Sequence, residues 1–121
     1  MQNRIEIAEA NLQNDRLVLI SEINDGAERK PAGRMLADSD HFAFVYILEQ
    51  GESFQYVILN EAIWSELKSA LDKKLPVFLK IGNESMELSG FHDELAYLID
   101  NIKGNANYGE EMEERVKKVF L

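Results

Sequence analysis

The feature that most constrains the fold of this chain is FAFVYIL, an unbroken apolar run from Phe42 to Leu48. Aromatic and β-branched residues dominate the run, and these residue types favour strands. A strand without polar alternation is typical of one that is covered on both faces. The turn residues Gln50–Ser53 follow, and Phe54–Leu59 predicts the returning strand. We therefore expect a sheet built around a central hairpin.

Further strands and three helices are predicted around this hairpin. The strands are predicted over residues 4–9, 16–23, 33–37, 76–81 and 85–89. Apolar residues at helical spacing predict three helices with one buried face each. Their stripes are Ile63–Leu67–Ala70–Leu71, Phe91–Leu95–Leu98–Ile99–Ile102 and Met112–Val116–Val119–Phe120. The pattern indicates an α+β fold: an antiparallel sheet of about five to seven strands with about three helices on one side, in a single α+β domain over residues 1–121.

Two segments of the chain share a local pattern. FVYILEQGESFQYVIL and VFLKIGNESMELSG each read as strand, glycine-containing turn with Glu–Ser, and strand, and a helix follows each. One interpretation is that this ββα unit is common and recurs by chance. The other interpretation is a duplicated ββα pair, and the sequence leaves both open.

The charge balance excludes several classes of partner. Thirteen basic residues against 22 acidic residues give a net charge of −9. This field repels nucleic-acid phosphates and anionic membranes, so we expect neither as a partner. The chain has no cysteine, which excludes disulfides and thiolate chemistry and fits the reducing cytoplasm. No signal peptide and no bilayer-spanning run of roughly 20 apolar residues is visible, so we expect a cytoplasmic protein.

Gly104 and Gly109 raise the question of a phosphate-binding loop, because such loops place spaced glycines before a helix. Here the loop follows a predicted helix, and Glu110 and Glu111 put two carboxylates where a phosphate would bind. We interpret the segment as the end of one helix and the start of another. Three Glu-to-base pairs at i, i+4 support the second helix: Glu111–Arg115, Glu113–Lys117 and Glu114–Lys118.

No catalytic constellation is recognisable in the sequence. There is no nucleophile elbow, no HExxH zinc motif and no dinucleotide fingerprint. The sequence therefore predicts no catalytic residue and no cofactor.

The loop before the central strand is the candidate ligand site. Asp38, Asp40 and His41 place two carboxylates and an imidazole within four residues, which are groups that can hold a divalent ion. Arg34 lies just upstream and could contribute to a small-ligand site. The alternative is a turn in which the carboxylates accept local backbone N–H groups. Arg29, Lys30 and Arg34 form the only basic cluster, and we expect it in a solvated loop.

Large apolar side chains are the candidates for contacts with a protein partner. They are Trp64, Tyr108, Met112 and Phe120. Aromatic residues are enriched both in cores and at interfaces, so each of them is also a candidate core residue. A partner could be a second copy of the chain, giving a homodimer, or another protein.

Two stretches carry a resemblance to a known family. KPAGRMLADSDHFAFVYILEQGESFQYVIL and the closing NIKGNANYGEEMEERVKKVF resemble the YjbL-like group of small proteins from Bacillus and its relatives. The resemblance implies a cytosolic bacterial protein and implies no activity or catalytic residue. Our hypothesis is therefore a non-enzymatic binding or protein-interaction domain. The alternative hypothesis is a small-ligand or divalent-metal-binding domain, with an enzyme as one form of it, centred on the Asp38–Asp40–His41 loop.

Overall fold

The computed structural model describes residues 3–121, which form one curled seven-stranded sheet and three α-helices. The strands are β1 Arg4–Leu12, β2 Leu17–Ser21, β3 Lys30–Asp38, β4 Ala43–Gln50, β5 Ser53–Asn60, β6 Val77–Ile81 and β7 Glu84–Glu87. The helices are α1 Trp64–Lys73, α2 Phe91–Ile102 and α3 Glu110–Phe120. Short 3₁₀ turns at Glu61–Ile63 and Ala106–Tyr108 precede α1 and α3. The prediction of an α+β fold is confirmed.

The sheet is mixed, so the prediction of an antiparallel sheet is only partly right. The strand order is β3-β4-β5-β1-β2-β6-β7, and the β1–β5 and β2–β6 pairs are parallel. The segment after β2 carries the chain to the far edge, where β3 begins. The β4–β5 hairpin then returns toward β1, and α1 carries the chain across to β6. The hairpin places β5 beside β1 and the α1 connection places β6 beside β2, and each of these two strands runs in the same direction as its earlier neighbour.

The two ββα units exist as local segments, but they do not repeat as a structure. In the first unit the second strand of the hairpin, β5, pairs with β1. In the second unit the first strand, β6, pairs with β2 and leaves β7 at the edge. The ββα order is therefore present twice, in two different settings in the sheet, and the prediction of a repeat is only partly matched.

The curl brings β3 close to the chain that follows β7. The buried Tyr46 hydroxyl donates to the Ser89 carbonyl oxygen at 2.6 Å and accepts the Gly33 N–H at 3.2 Å. Gly90 has a φ of +68°, and a Cβ there would lie 3.4 Å from the Gly33 carbonyl oxygen. Burial raises the pKa of the Tyr46 phenol, which keeps its donor proton in place. We call this contact between Gly33, Tyr46, Ser89 and Gly90 the seam.

The helices pack on the concave side of the sheet, which we call the inner face. Trp64 lies there fully buried, 5.2 Å from Phe44 and 5.7 Å from Phe120 between ring centroids. Its indole N–H donates to the Leu59 carbonyl oxygen at 2.9 Å, so no polar atom of the ring is left unpaired. This aromatic cluster joins β4, α1 and α3.

The helix ends follow their sequence signals. Asn60 Oδ1 accepts the Ala62 N–H at 3.0 Å and begins the turn that leads into α1. Gly104 adopts a φ of +73° just beyond α2, as glycine does after a helix. Its N–H donates to the Glu113 carboxylate of α3. The interpretation of this glycine segment as a connection between two helices is confirmed.

Candidate functional site

The side of β3, β4, β5 and β1 away from the helices is the candidate site, and we call it the outer face. Strand register places Leu36 opposite Val45, Val45 opposite Ile58, and Ile58 beside Glu6. Because paired residues share a face, these four side chains form one row across the sheet. The row is apolar except at its β1 end.

A second row lies about 6.8 Å along the strands, two residues away. Ile47 is opposite Tyr56, and Tyr56 is beside Arg4. Arg34 precedes the paired residue Met35 and therefore occupies the β3 end of this row. Its guanidinium lies 5.6 Å from the centre of the Phe54 ring. This row therefore has a cation at each end of an apolar centre.

The outer face retains exposed apolar side chains. Val45 and Ile58 are buried among their neighbours, whereas Leu36 is 50% exposed and Phe54 is 41% exposed. Ala43, Val45 and Ile58 form a small apolar cluster to which no helix of residues 3–121 contributes. The prediction that FAFVYIL is covered on both faces is confirmed for Ala43–Leu48, which are all buried. On the outer face neighbouring side chains provide the cover, because the described helices pack on the inner face.

A shallow groove of about 380 Å³ runs along this face. Its floor includes Val45 and Ile58, and charged groups stand on opposite sides. Arg4 lines one side, and Asp38 and Asp40 line the other. Arg4 also contacts the Glu6 carboxylate at 3.2 Å. The arrangement is amphipathic, with a charge of each sign at its margins.

Asp38 and His41 meet in the turn between β3 and β4. The Asp38 carboxylate accepts the His41 N–H at 3.2 Å, and its other oxygen lies 2.9 Å from His41 Nδ1. The local-turn interpretation therefore describes Asp38. Arg34 lies four residues away, about 13 Å along the strand, so it does not join this turn. Within residues 3–121 no group of three His, Asp or Glu side chains is arranged to hold a metal ion.

The proposed interaction residues lie elsewhere. Trp64, Met112 and Phe120 are buried in the inner core, and Tyr108 is partly buried against it. The first three side chains have almost no surface left for a partner, because their apolar stripes already pack against the sheet. Their assignment as interaction residues is corrected to core residues.

Sequence reasoning missed Arg4, Leu36 and Tyr56 as parts of the outer face. A signal was present: β4 is apolar at successive positions, and β5 is apolar from Tyr56 to Leu59. In the structure the three helices pack on one side of the sheet, so the apolar residues of the other side are covered only by neighbouring side chains.

No helix formed by residues 3–121 has the length and apolar character needed to cross a membrane.

Comparison with known proteins gives one consistent family. A family model described as a family of unknown function (UPF0738) matches residues 5–120. The chain is 83% identical over 121 residues to a UPF0738 protein of Bacillus licheniformis, with all of both chains covered. It is 61% identical to the UPF0738 protein YjbL of Bacillus subtilis and 37% identical to a UPF0738 protein of Bacillus mycoides, again over all of both chains. No solved structure matches it.

Proposed function

The chain belongs to the UPF0738 family, whose function is unknown, and from its geometry we propose that it is a non-enzymatic domain that binds a polypeptide on its outer face. Membership confirms the resemblance to YjbL-like proteins. The proposed location is the cytoplasm, which the absence of cysteine supports. The partner presents an apolar side chain flanked by charges of both signs.

One observation carries this proposal. Leu36 and Phe54 remain exposed on a sheet face whose buried apolar cluster receives no residue from the described helices. Contiguous exposed apolar side chains rimmed by polar groups are typical of protein contact surfaces. Single exposed apolar residues are ordinary, so the argument depends on these two sharing one face, where the buried Ile47 lies between them.

The charge pattern favours a polypeptide over a lipid or a nucleic acid. Arg34 and Arg4 lie at the ends of one row, and Asp38 and Asp40 lie toward the other end of the strands. A phosphate-rich partner would meet the carboxylates as well as the net charge of −9. A protein surface can offer opposite charges at both places.

The alternative of a metal site at the Asp38–Asp40–His41 loop receives less support. Both oxygens of the Asp38 carboxylate already contact His41. A divalent ion would need further oxygen or nitrogen ligands, and the described residues bring no third such side chain to the turn. The interaction domain is therefore the proposal that we test.

Site-specific photocrosslinking in Bacillus cells tests the proposal. A photoreactive phenylalanine analogue replaces Phe54 on the outer face in one variant. In the matched control it replaces Tyr97, a 64% exposed aromatic residue on α2. We expect a protein adduct from position 54 and none of the same mass from position 97.

The added substitution Leu36→Lys should abolish the adduct from position 54, because it places a charge in the apolar row that Leu36 forms with Val45 and Ile58. Absence of an adduct at position 54 would overturn the proposal. An adduct of equal yield from both positions would do so as well, since it would show no preference for the outer face.

A further inference from the structure

We propose that the polypeptide bound by the outer face is a second copy of this chain, with the two β3 strands crossing antiparallel about a two-fold axis at Leu36. This inference rests on the proposed function and names its partner. In the complex, Arg34 of each copy faces Asp38 of the other. The contact is isologous, so both copies use the same surface.

The sequence of β3 is self-complementary on this face. Arg34, Leu36 and Asp38 alternate along the strand, so all three lie on the outer face. A two-fold axis between the paired Leu36 side chains relates the two copies. It places the residue two positions before Leu36 of one copy opposite the residue two positions after Leu36 of the other. The cation of one copy then meets the anion of the other at both ends of a leucine pair. Aligned packing of two sheets about 10 Å apart accommodates this arrangement.

The free edge of β3 is blocked, which favours face-to-face packing over strand addition. The Met35 N–H donates to Glu94 Oε1 of α2 at 2.9 Å. The Gly33 N–H donates to the Tyr46 hydroxyl at 3.2 Å. A second β3 strand cannot use these donors to extend the sheet.

The charged residues beside this contact are compatible with it. Among the contacts described for residues 3–121, Arg34 lies over the Phe54 ring and makes no ion pair. Asp38 is 29% exposed at its side chain and keeps surface for a second cation. In the dimer, Glu6 of each copy lies opposite Glu6 of the other copy, at the β1 side of the contact. Arg4 of the same copy pairs with each of these carboxylates. Opposite charges therefore meet on both sides of the Leu36 pair, along the β3 edge of the interface.

The size of the face predicts a weak dimer. Four strands about 4.8 Å apart and three rows about 6.8 Å apart each span about 14 Å, which outlines roughly 200 Å². A standard interface buries about 800 Å² on each partner. We therefore expect a dimer that dissociates on dilution, with a Kd between roughly 1 μM and 1 mM.

Sedimentation velocity over this concentration range measures the association of the purified chain. Arg34→Asp or Asp38→Arg alone should raise the Kd at least about tenfold, because each puts two like-charge pairs in the interface. An equimolar mixture of the two single variants should associate as tightly as the wild type, since each cation then meets an anion. The double variant, Arg34→Asp with Asp38→Arg, should also regain the wild-type Kd.

The matched control is Arg16→Asp, which makes the same charge change just before β2, where Arg16 lies 4.8 Å from the centre of the Phe78 ring. It should leave the Kd within about twofold, and thermal melting verifies that every variant is folded. A chain that stays monomeric throughout the range overturns the inference. So does a dimer that Arg34→Asp and Arg16→Asp weaken equally, or one that the mixture fails to restore.

The two proposals fail in different ways. If the position 54 adduct contains a different protein and the purified chain is monomeric, the interaction domain stands and self-association falls. If position 54 gives no adduct, the proposed function falls, and the sedimentation series decides self-association, because Phe54 lies one row outside the three rows of the proposed contact.

Discussion

Tyr46 illustrates at the scale of one residue how an apolar run can contain an essential polar group. It is the only residue of FAFVYIL with a side-chain hydroxyl, and the sequence predicts only that it lies in a strand. In the structure its hydroxyl bridges Ser89 and Gly33, residues that are far from it in sequence. No local sequence pattern predicts this bridge, because it depends on the curl of the whole sheet.

We expect Tyr46→Phe to lower the free energy of unfolding by about 1–3 kcal/mol, because it leaves a carbonyl and an N–H of the seam without their partner. Urea unfolding measures the change. Tyr97→Phe removes the same hydroxyl from an exposed site and should change the stability by less than about 0.5 kcal/mol. Equal values for the two variants would contradict the role of the seam.

Arg29 shows a second limit of sequence reasoning. The cluster of Arg29, Lys30 and Arg34 predicts a solvated loop, but the Arg29 side chain is only 2% exposed. Its guanidinium contacts both oxygens of Asp25, at 2.8 and 3.0 Å, and it also donates to Gln55. These bonds hold the pKa of the Asp25 carboxyl below its ordinary value. Gln55 is distant in sequence, so composition alone could not indicate this burial.

At the scale of the element, α3 is the part that the sequence describes best. Its apolar stripe, its acidic start and its basic end are all local properties, and the helix forms where they predict it. The Glu111–Arg115 and Glu113–Lys117 pairs are present at 2.5 and 3.3 Å. The sequence did not indicate that Arg115 also reaches Glu61 and lies over Phe42, because those contacts are tertiary.

Glu113 gives a pH-dependent prediction for the same helix. The Gly104 N–H and Lys117 hold the pKa of this carboxyl below its ordinary value. The group therefore stabilises the fold above its unfolded pKa of about 4.3, and the stabilisation is lost as the pH falls through the lower folded value. We expect Glu113→Gln to have a lower urea midpoint than the wild type at pH 7. Near pH 3 the midpoints of the two proteins should be the same.

Urea titrations at a series of pH values from about 7 to about 3 check this expectation. Glu114→Gln removes the same charge one position further along α3 and should lower the midpoint at pH 7 less than Glu113→Gln does. A wild-type advantage over Glu113→Gln that grows toward low pH would have the wrong sign for a carboxylate stabilised in its charged form.

At the scale of the whole molecule, the sequence predicts the elements better than their arrangement. Periodicity indicated the central hairpin and the three helices, since these patterns are local. It did not indicate that β1 and β2 each take a parallel neighbour, because that follows from where two long connections end. The outer face was hidden for the same reason: only the finished topology shows on which side the helices pack.

The arrangement also determines what α3 contributes, since the sequence allows the helix to pack on its own chain or on another. In the structure it completes the core of its own chain, where Phe120 lies 5.9 Å from Phe44 and 5.7 Å from Trp64 between ring centroids. We expect Phe120→Ala to lower the free energy of unfolding by about 3–5 kcal/mol through lost burial and a residual cavity.

Leu121→Ala is the matched control, because Leu121 is the next residue and is 64% exposed. Its effect should stay within about 0.5 kcal/mol. Trp64 is the only tryptophan of the chain, so its fluorescence reports directly on this cluster. In Phe120→Ala the native emission should shift toward longer wavelength as water approaches the indole. An unshifted emission with unchanged stability would mean that α3 packs outside this core. The apolar stripe of α3, rather than the outer face, would then be the surface available to bind a partner.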